Sequence, residues 1–277
     1  MADKQHYKTV LTIAGSDSIG GAGIEADIKT CTTTGTYAMA AITAVTAQNT
    51  MGVQSYEAVS PALLRAQLDS VIADVRPDAV KIGMVPTVEH VRVIADWIRA
   101  NDISPVVLDP VCVATSGDAL AADSVPAALR NELMPLATVV TPNLPEARLL
   151  TRVDFAVDPD DNSQMDDAVM VMMQETGVPV VVVKGGHDSG DMSVDYVYYA
   201  DQDEVGLLCA PRVDSVNTHG TGCTFSSAIA SYLAQGHSVA QALHLAKAYI
   251  TAAIAHGADY AFGHGHGPVR HGYYEVK

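Results

Sequence analysis

Positive charge is scarce in this chain. Its 277 residues carry 16 lysines and arginines against 32 aspartates and glutamates, a formal charge of −16. A surface of that sign repels nucleic acid and anionic lipid. Any anionic substrate must then be held by local dipoles and a few placed cations. Cysteine is scarce too: Cys31, Cys112, Cys209 and Cys223 show no C-x-x-C spacing and are too few for a disulfide scaffold. Reduced thiols in a cytoplasmic protein are the expectation. No apolar run approaches the ~18–20 residues of a membrane-spanning helix. The first residues lack a secretory h-region, and neither internal repeats nor low-complexity linkers interrupt the chain. Against these absences, 48% of residues are hydrophobic and 17% charged. That balance excludes disorder as the main state and predicts a sizeable core, with one domain over 1–277 expected.

Short apolar runs recur at 9–14, 38–47, 79–82, 105–108, 138–140 and 178–183. Continuous rather than alternating hydrophobicity predicts strands buried on both faces, as in a parallel sheet. Amphipathic segments lie between them. Ser60-Pro61 supplies a cap and a first-turn proline ahead of Leu64, Leu68, Val71 and Ile72. Thr87 opens a second helix with Val88, Val91, Ile94 and Ile98 on one face. The acidic stretch from Asp158 to Asp167 is expected to run from a solvated loop into a helix start. Alternating strand and helix predicts an α/β sandwich of three layers around a mostly parallel sheet. Between 192 and 209 the pattern changes to an antiparallel hairpin at one sheet edge.

Polar and glycine residues come after each predicted strand: Gly15-Ser16-Asp17, Gln48-Asn49, Gly83-Met84, Asp109-Pro110, Pro142-Asn143 and Lys184-Gly185-Gly186. In an open parallel sheet these positions share one edge, where ligands bind. Each alone is equally explained as a turn. Gly220-Thr221-Gly222-Cys223 precedes a run of small apolar residues that suits a buried helix. Free N–H groups at such a start, with the helix dipole, form an anion hole; a plain structural start is the alternative. No Gly-Lys-Ser/Thr is present there, so this is not a Walker A loop, and Gly20-Gly21-Ala22-Gly23 lacks the third glycine of a dinucleotide fingerprint. Asn143 and Glu146 have the spacing of a capping box, and the same pair can orient the waters of a Mg²⁺ ion. Ten histidines invite a metal reading, but His264, His266 and His271 lack a companion cysteine or placed carboxylate and are expected to pack as loop residues. His187 and His219 adjoin proposed site residues.

Taken in order, Ala14-Gly15-Ser16-Asp17, Gly20-Gly21-Ala22-Gly23-Ile24, Gln48-Asn49-Thr50, Lys81-Ile82-Gly83-Met84, Asp109-Pro110-Val111, Thr141-Pro142-Asn143-Leu144-Pro145-Glu146, Lys184-Gly185-Gly186-His187 and Thr218-His219-Gly220-Thr221-Gly222-Cys223 resemble the hydroxymethylpyrimidine/phosphomethylpyrimidine kinases of thiamine biosynthesis, in the ribokinase-like superfamily. The likeness runs from about residue 9 to residue 268. The combination is specific, although each motif alone is not.

The resemblance implies two successive ATP-dependent transfers, from 4-amino-5-hydroxymethyl-2-methylpyrimidine to its monophosphate and then to its diphosphate. By the same resemblance Gln48 would bond the aminopyrimidine edge, and Gly15, Asp27, Met84 and Val111 would line the pyrimidine pocket. Asn143, Glu146 and Asp109 would organise Mg²⁺ and phosphates, with Lys184 near the nucleotide. Gly220, Thr221, Gly222 and Cys223 would form the anion hole, in a homodimer. Cys223 stands where sugar kinases of the superfamily carry an aspartate base. A helix start can lower a thiol from its usual ~8.5, so Cys223 is expected to act as base for the first transfer. Ile19 and Glu25 depart from the family's usual small polar residue and Gln. A pyridoxal-phosphorylating group uses a lid cysteine where this chain has Ala114, which favours pyrimidine. Pyridoxal kinase, sugar kinase and non-catalytic sensor remain the alternatives.

Overall fold

The computed structural model describes residues 6–112, 122–156, 161–185, 190–202 and 204–274. The chain opens with strand β1 (Thr9–Ala14), helix α1 (Gly23–Thr33) and strand β2 (Tyr37–Ile42), followed by a hairpin of β3 (Ala44–Asn49) and β4 (Gly52–Ala58). Next come α2 (Pro61–Asp74), β5 (Ala79–Ile82), α3 (Val88–Asn101) and β6 (Val106–Leu108). A short α4 (Val125–Ala128) leads to β7 (Val139–Val140), α5 (Leu144–Thr151), α6 (Ser163–Thr176) and β8 (Val180–Lys184). The last elements are β9 (Met192–Tyr199), β10 (Gly206–Pro211), α7 (Thr221–Ala234) and α8 (Val239–Gly257). Ser60 and Thr87 cap α2 and α3 through their side chains, and Asn143 with Glu146 forms a complete capping box on α5. No helix among the described residues is long and apolar enough to cross a membrane.

The main sheet has the order β10-β9-β8-β7-β6-β5-β1-β2. Its strands are parallel from β2 to β8, and β9 and β10 add antiparallel at one edge. Two apolar cores flank it. On one face Leu11, Ile13, Val80, Ile82 and Leu108 pack with residues of α2, α3 and α6. On the other Val10, Ala79, Val107, Val139 and Val182 pack with α7 and α8. Covered faces on both sides explain why the strands lack alternation.

The run at 38–47, expected as one strand, is two. The chain leaves the main sheet at Thr43, whose N–H donates to Ala14 O and whose hydroxyl donates to Met84 O. β3 then pairs only with β4, in a separate flap, and Gln48 sits on that flap rather than at the end of a main-sheet strand. Burial changes at the break: β2, at the sheet edge, is mostly half-buried, whereas in β3 Ala44 and Thr46 are buried and Val45 and Ala47 exposed.

Side-chain alternation along a strand also places the polar groups. Two residues beyond apolar positions facing α7 and α8 stand Thr12, Lys81, Asp109, Thr141 and Lys184. The period of two points them to the same face at the sheet's carboxyl end. Here one expectation is corrected. Asp27 does not line a ligand pocket: it is fully buried. Both its oxygens lie 2.9 Å from Lys81 Nζ. They also accept from Thr12 Oγ1 and Ser227 Oγ, at 2.5 and 2.6 Å. A carboxylate so placed, between α1 and the sheet, is saturated by its neighbours and balances an equally buried ammonium.

Removing one member of such a pair strands the other charge. Lys81→Met is expected to lower stability by about 3–5 kcal/mol, and Lys81→Met with Asp27→Leu to recover most of that. Urea denaturation of the three proteins checks this. A double variant as unstable as the single one would show that the charges themselves are not what matters.

Candidate active site

A cavity of about 390 Å³ opens at the carboxyl edge of the sheet. Apart from Asp27, every residue expected to form the site lines it: Gly15, Gln48, Met84, Val111, Asp109, Asn143, Glu146, Lys184, Gly220, Thr221, Gly222 and Cys223. Met84 and Val111 make an apolar wall with Ala44 and Val53. Gly15 belongs to that wall by necessity, since a Cβ there would lie 2.9 Å from Met84 Sδ. Gln48 reaches in from the flap, half-buried. Gly186, His187 and Ala114 lie outside the described residues.

The anion loop is set by close packing. Gly220 has φ 79°, a left-handed conformation, and a Cβ there would fall 1.8 Å from Gly21 O. Only glycine meets both demands. No side chain caps α7, and the N–H groups of Gly222 and Cys223 have no partner among the described residues. Unpaired donors at the positive end of a helix dipole favour an anion. Asn143, by contrast, is occupied as a cap, accepting from Glu146 N–H at 2.8 Å while Glu146 accepts from Asn143 N–H at 2.8 Å.

Lys184 Nζ donates to Asp109 Oδ1 at 2.8 Å, and Thr141 Oγ1 and Ser226 Oγ also donate to that carboxylate. Burial pushes Asp109 up, but the Lys184 and Lys81 ammoniums overcome it and hold the group below the ordinary carboxylate range. Lys184 is also depressed by burial, and Asp109 with Glu146 raises it above the usual lysine value. Glu146 behaves differently. Burial, with the Asp109 charge, pushes its carboxyl up to about 7 despite Lys184. Two carboxylates this close, one of them pushed toward neutrality, make a place that gains from an added cation. Among the described residues no cluster of three or more His, Cys, Asp and Glu forms a metal cage.

Cys223 lines the cavity, but its chemistry differs from the expectation. Burial pushes the thiol up to about 11, with Asp27 and Asp109 adding to the rise and Lys81 opposing it. The helix start does not win, because the sulfur is buried and two carboxylates add to the rise. A thiolate base at neutral pH has no support from this environment.

Several site residues were not expected in these roles. Asp17 is buried and accepts from Ile19, Gly21 and Ala22 N–H groups, and His219 Nε2 lies 2.8 Å from it. Burial raises the Asp17 carboxyl, but these bonds and His219 bring it below the usual range. Glu25, a departure from the family's pattern, accepts from Asp17 N–H at 2.7 Å. Lys247 donates to Asp195 and Ser193 where β9 and α8 extend the cavity. The glycine-rich tail supports the site through contact: Thr50 Oγ1 accepts from His264 and Gly265 N–H, and a Cβ on Gly263 or Gly265 would strike Thr50. The signal in the sequence was the glycine spacing, not the histidines.

Unpaired helix-start amides, an ion-paired lysine and a substrate-sized apolar wall define a phosphotransferase site on a ribokinase-like sandwich. Known proteins carry the same message. A model of the phosphomethylpyrimidine kinase family matches residues 17–270, and the chain belongs to that family. It is 48% identical over 261 residues to a hydroxymethylpyrimidine/phosphomethylpyrimidine kinase of Rhizobium meliloti, covering 94% of this chain and 96% of that protein. A Bacillus subtilis pyridoxal kinase solved with ADP has TM-score 0.88 at 36% identity, covering 98% of this chain and 100% of that one. A Clostridium difficile phosphomethylpyrimidine kinase has TM-score 0.76 at 39% identity, covering 89% and 99%.

A Cβ on Gly222 would lie 3.2 Å from Lys184 Nζ. Gly222→Ala is expected to fold, with stability within about 1 kcal/mol of wild type because alanine suits a helix. It should slow phosphoryl transfer about tenfold or more by crowding the anion loop. Thermal melts beside steady-state rates test this, and an unimpaired rate would contradict it. A second outcome concerns Glu146, whose folded pKa of about 7 exceeds the 4.5 of an ordinary glutamate. The folded protein therefore binds more protons than the unfolded chain between those values, and this group's contribution to stability falls as pH rises through them. Glu146→Gln keeps the capping box. It should show a flatter pH dependence of stability across this window than wild type, in the absence of ligands. Parallel pH-dependent melts would contradict this.

Proposed function

We propose that this protein uses ATP to phosphorylate 4-amino-5-hydroxymethyl-2-methylpyrimidine and then its monophosphate, giving the diphosphate needed for thiamine biosynthesis. The observation that carries the reading is one cavity holding both the Gln48 amide and the free N–H groups of Gly222 and Cys223. The amide offers a donor and an acceptor side by side, which is what an exocyclic amine next to a ring nitrogen requires. Met84 and Val111 supply an apolar surface for a flat heterocycle. The helix start receives the migrating phosphoryl group, and Lys184 adds a fixed positive charge beside it. Mg²⁺, when bound, would neutralise phosphate charge, with Asn143 and Glu146 holding its waters and Asp109 close by. Transfer through a loose transition state asks mainly for positioning and charge stabilisation. Cys223, protonated, then holds the acceptor alcohol by contact rather than taking its proton.

Pyridoxal is the second reading, favoured by the likeness to pyridoxal kinases. A panel of hydroxymethylpyrimidine, its monophosphate, pyridoxal and ribose, each with ATP and Mg²⁺, separates the two by product mass. The pyrimidine and its monophosphate are expected to be turned over. Turnover of pyridoxal alone would overturn the proposal, and nucleotide-dependent heat protection without any product would favour a sensor. In the same assay Cys223→Ala should slow both transfers to within about threefold of each other, as loss of positioning does. Selective loss of the first transfer would return the cysteine to the role of base.

A further inference from the structure

His219 precedes the anion loop and lies between two side chains. Its Nε2 is 2.8 Å from Asp17 Oδ2 and 3.2 Å from Gln48 Nε2. Asp17 already accepts three main-chain N–H groups and can only accept. The hydrogen between Asp17 and His219 must therefore sit on His219 Nε2, whether the ring carries one proton or two. Gln48 Nε2 is also a donor, so the two nitrogens face each other with no acceptor between them.

The other end of the amide makes only a long contact. Gln48 Oε1 lies 3.5 Å from Thr46 Oγ1. That hydroxyl has one hydrogen, and Ser16 O at 2.8 Å is much the nearer acceptor. With the hydrogen on that shorter bond, Thr46 Oγ1 serves Gln48 better as an acceptor. Half a turn of the amide removes the donor–donor contact. The oxygen then shares the His219 Nε2–H with Asp17, as the longer arm of a bifurcated bond, and the NH₂ group faces Thr46 Oγ1. The two ends of an amide are nearly the same size, so hydrogen bonding alone selects between these states.

We infer that Asp17, acting through His219, holds the Gln48 amide with its oxygen toward the anion loop and its nitrogen toward Thr46, and thereby sets which way round the pyrimidine lies. This rests on the substrate proposed above. In that ring the ring nitrogen, the carbon bearing the amine and the carbon bearing the hydroxymethyl group come in sequence. The amine must meet the Gln48 oxygen, and the ring nitrogen the Gln48 NH₂. With the oxygen on the His219 side, the hydroxymethyl group comes next, toward Gly220 to Cys223. With the amide reversed, the ring turns over and the alcohol points away from the anion loop. Asp17 and His219 are thus positioning residues. They determine the productive pose without touching the reacting atoms.

The wild-type protein gives the first test. Long-range ¹H–¹⁵N correlation of ¹⁵N-histidine-labelled protein should show His219 Nε2 protonated without ligand, and a bare Nε2 would overturn the inference. The second test uses crystals with 4-amino-5-iodo-2-methylpyrimidine, in which iodine replaces the hydroxymethyl group. Anomalous scattering should give one iodine site on the Cys223 side in wild type and in His219→Gln, which keeps an N–H donor. His219→Leu should give two sites. An iodine on the Thr46 side in wild type, or a single unmoved site in His219→Leu, would overturn it. In turnover, His219→Leu should lower kcat by about threefold with KM falling alongside, the mark of an added unproductive pose, and His219→Gln should restore both. Unchanged kcat and KM in His219→Leu would count against this inference alone. A wild-type enzyme that fails to phosphorylate the pyrimidine removes the substrate proposal, and this inference with it.

Discussion

Two glycine-rich turns press together with no room for a side chain between them. Gly220 meets Gly21, and Gly23 meets Gly15, at distances where a Cβ would overlap main-chain atoms. Gly220 and Gly23 both have positive φ. This contact brings the start of α7 down onto the edge of β1 and leaves its first amides facing a cavity. The nested backbone also explains why Asp17 is buried. It gathers the N–H groups of the tight turn and ties them to His219 on the facing loop. The anion site, the flap residue Gln48 and the substrate wall take their positions from that junction.

A strongly acidic protein that handles phosphate has an electrostatic problem, and the structure meets it locally. Lys81 and Lys184 lie at strand ends, each paired with an aspartate. The Lys81 pair is sealed from solvent and supports the sheet beneath α7, whereas the Lys184 pair borders the cavity. Buried ion pairs add little net stability, because desolvation offsets attraction. Their effect here is to fix charge where a ligand will need it. Burial, helped by the neighbouring carboxylates, pushes Glu146 and Cys223 toward their protonated forms. A site in that state favours an incoming cation and disfavours a free thiolate.

Much of this was legible in the sequence, for a definite reason. Strands covered on both faces show unbroken apolar runs, and the residues just past the end of each run must lie at one edge. Asp109, Asn143 and Lys184 could thus be grouped before any coordinates, and they line one cavity together with the Gly220 loop, whose own signal was glycine at a helix start. The flap was hidden because 38–47 has similar hydrophobicity on either side of Thr43, and in β3 the exposed residues Val45 and Ala47 are themselves apolar, so no sequence pattern marks the break. Asp27 was set at the pocket by resemblance alone, and the sequence does not show its partner 54 residues away on β5. The surroundings of the Cys223 thiol were not legible, because the helix dipole is a local feature, while the burial that raises the thiol, and the Asp27 and Asp109 charges that add to it, come from distant parts of the chain.

The central claim is that the unpaired amides at the start of α7 receive the migrating phosphoryl group. A crystal structure with ADP, Mg²⁺, aluminium fluoride and hydroxymethylpyrimidine tests it most directly, because a planar fluoride takes the place of that group. The fluoride is expected within hydrogen-bonding reach of the Gly222 and Cys223 N–H groups, between Lys184 and a ring held by Gln48. Fluoride bound away from the helix start, with ADP and the pyrimidine both in place, would contradict the claim.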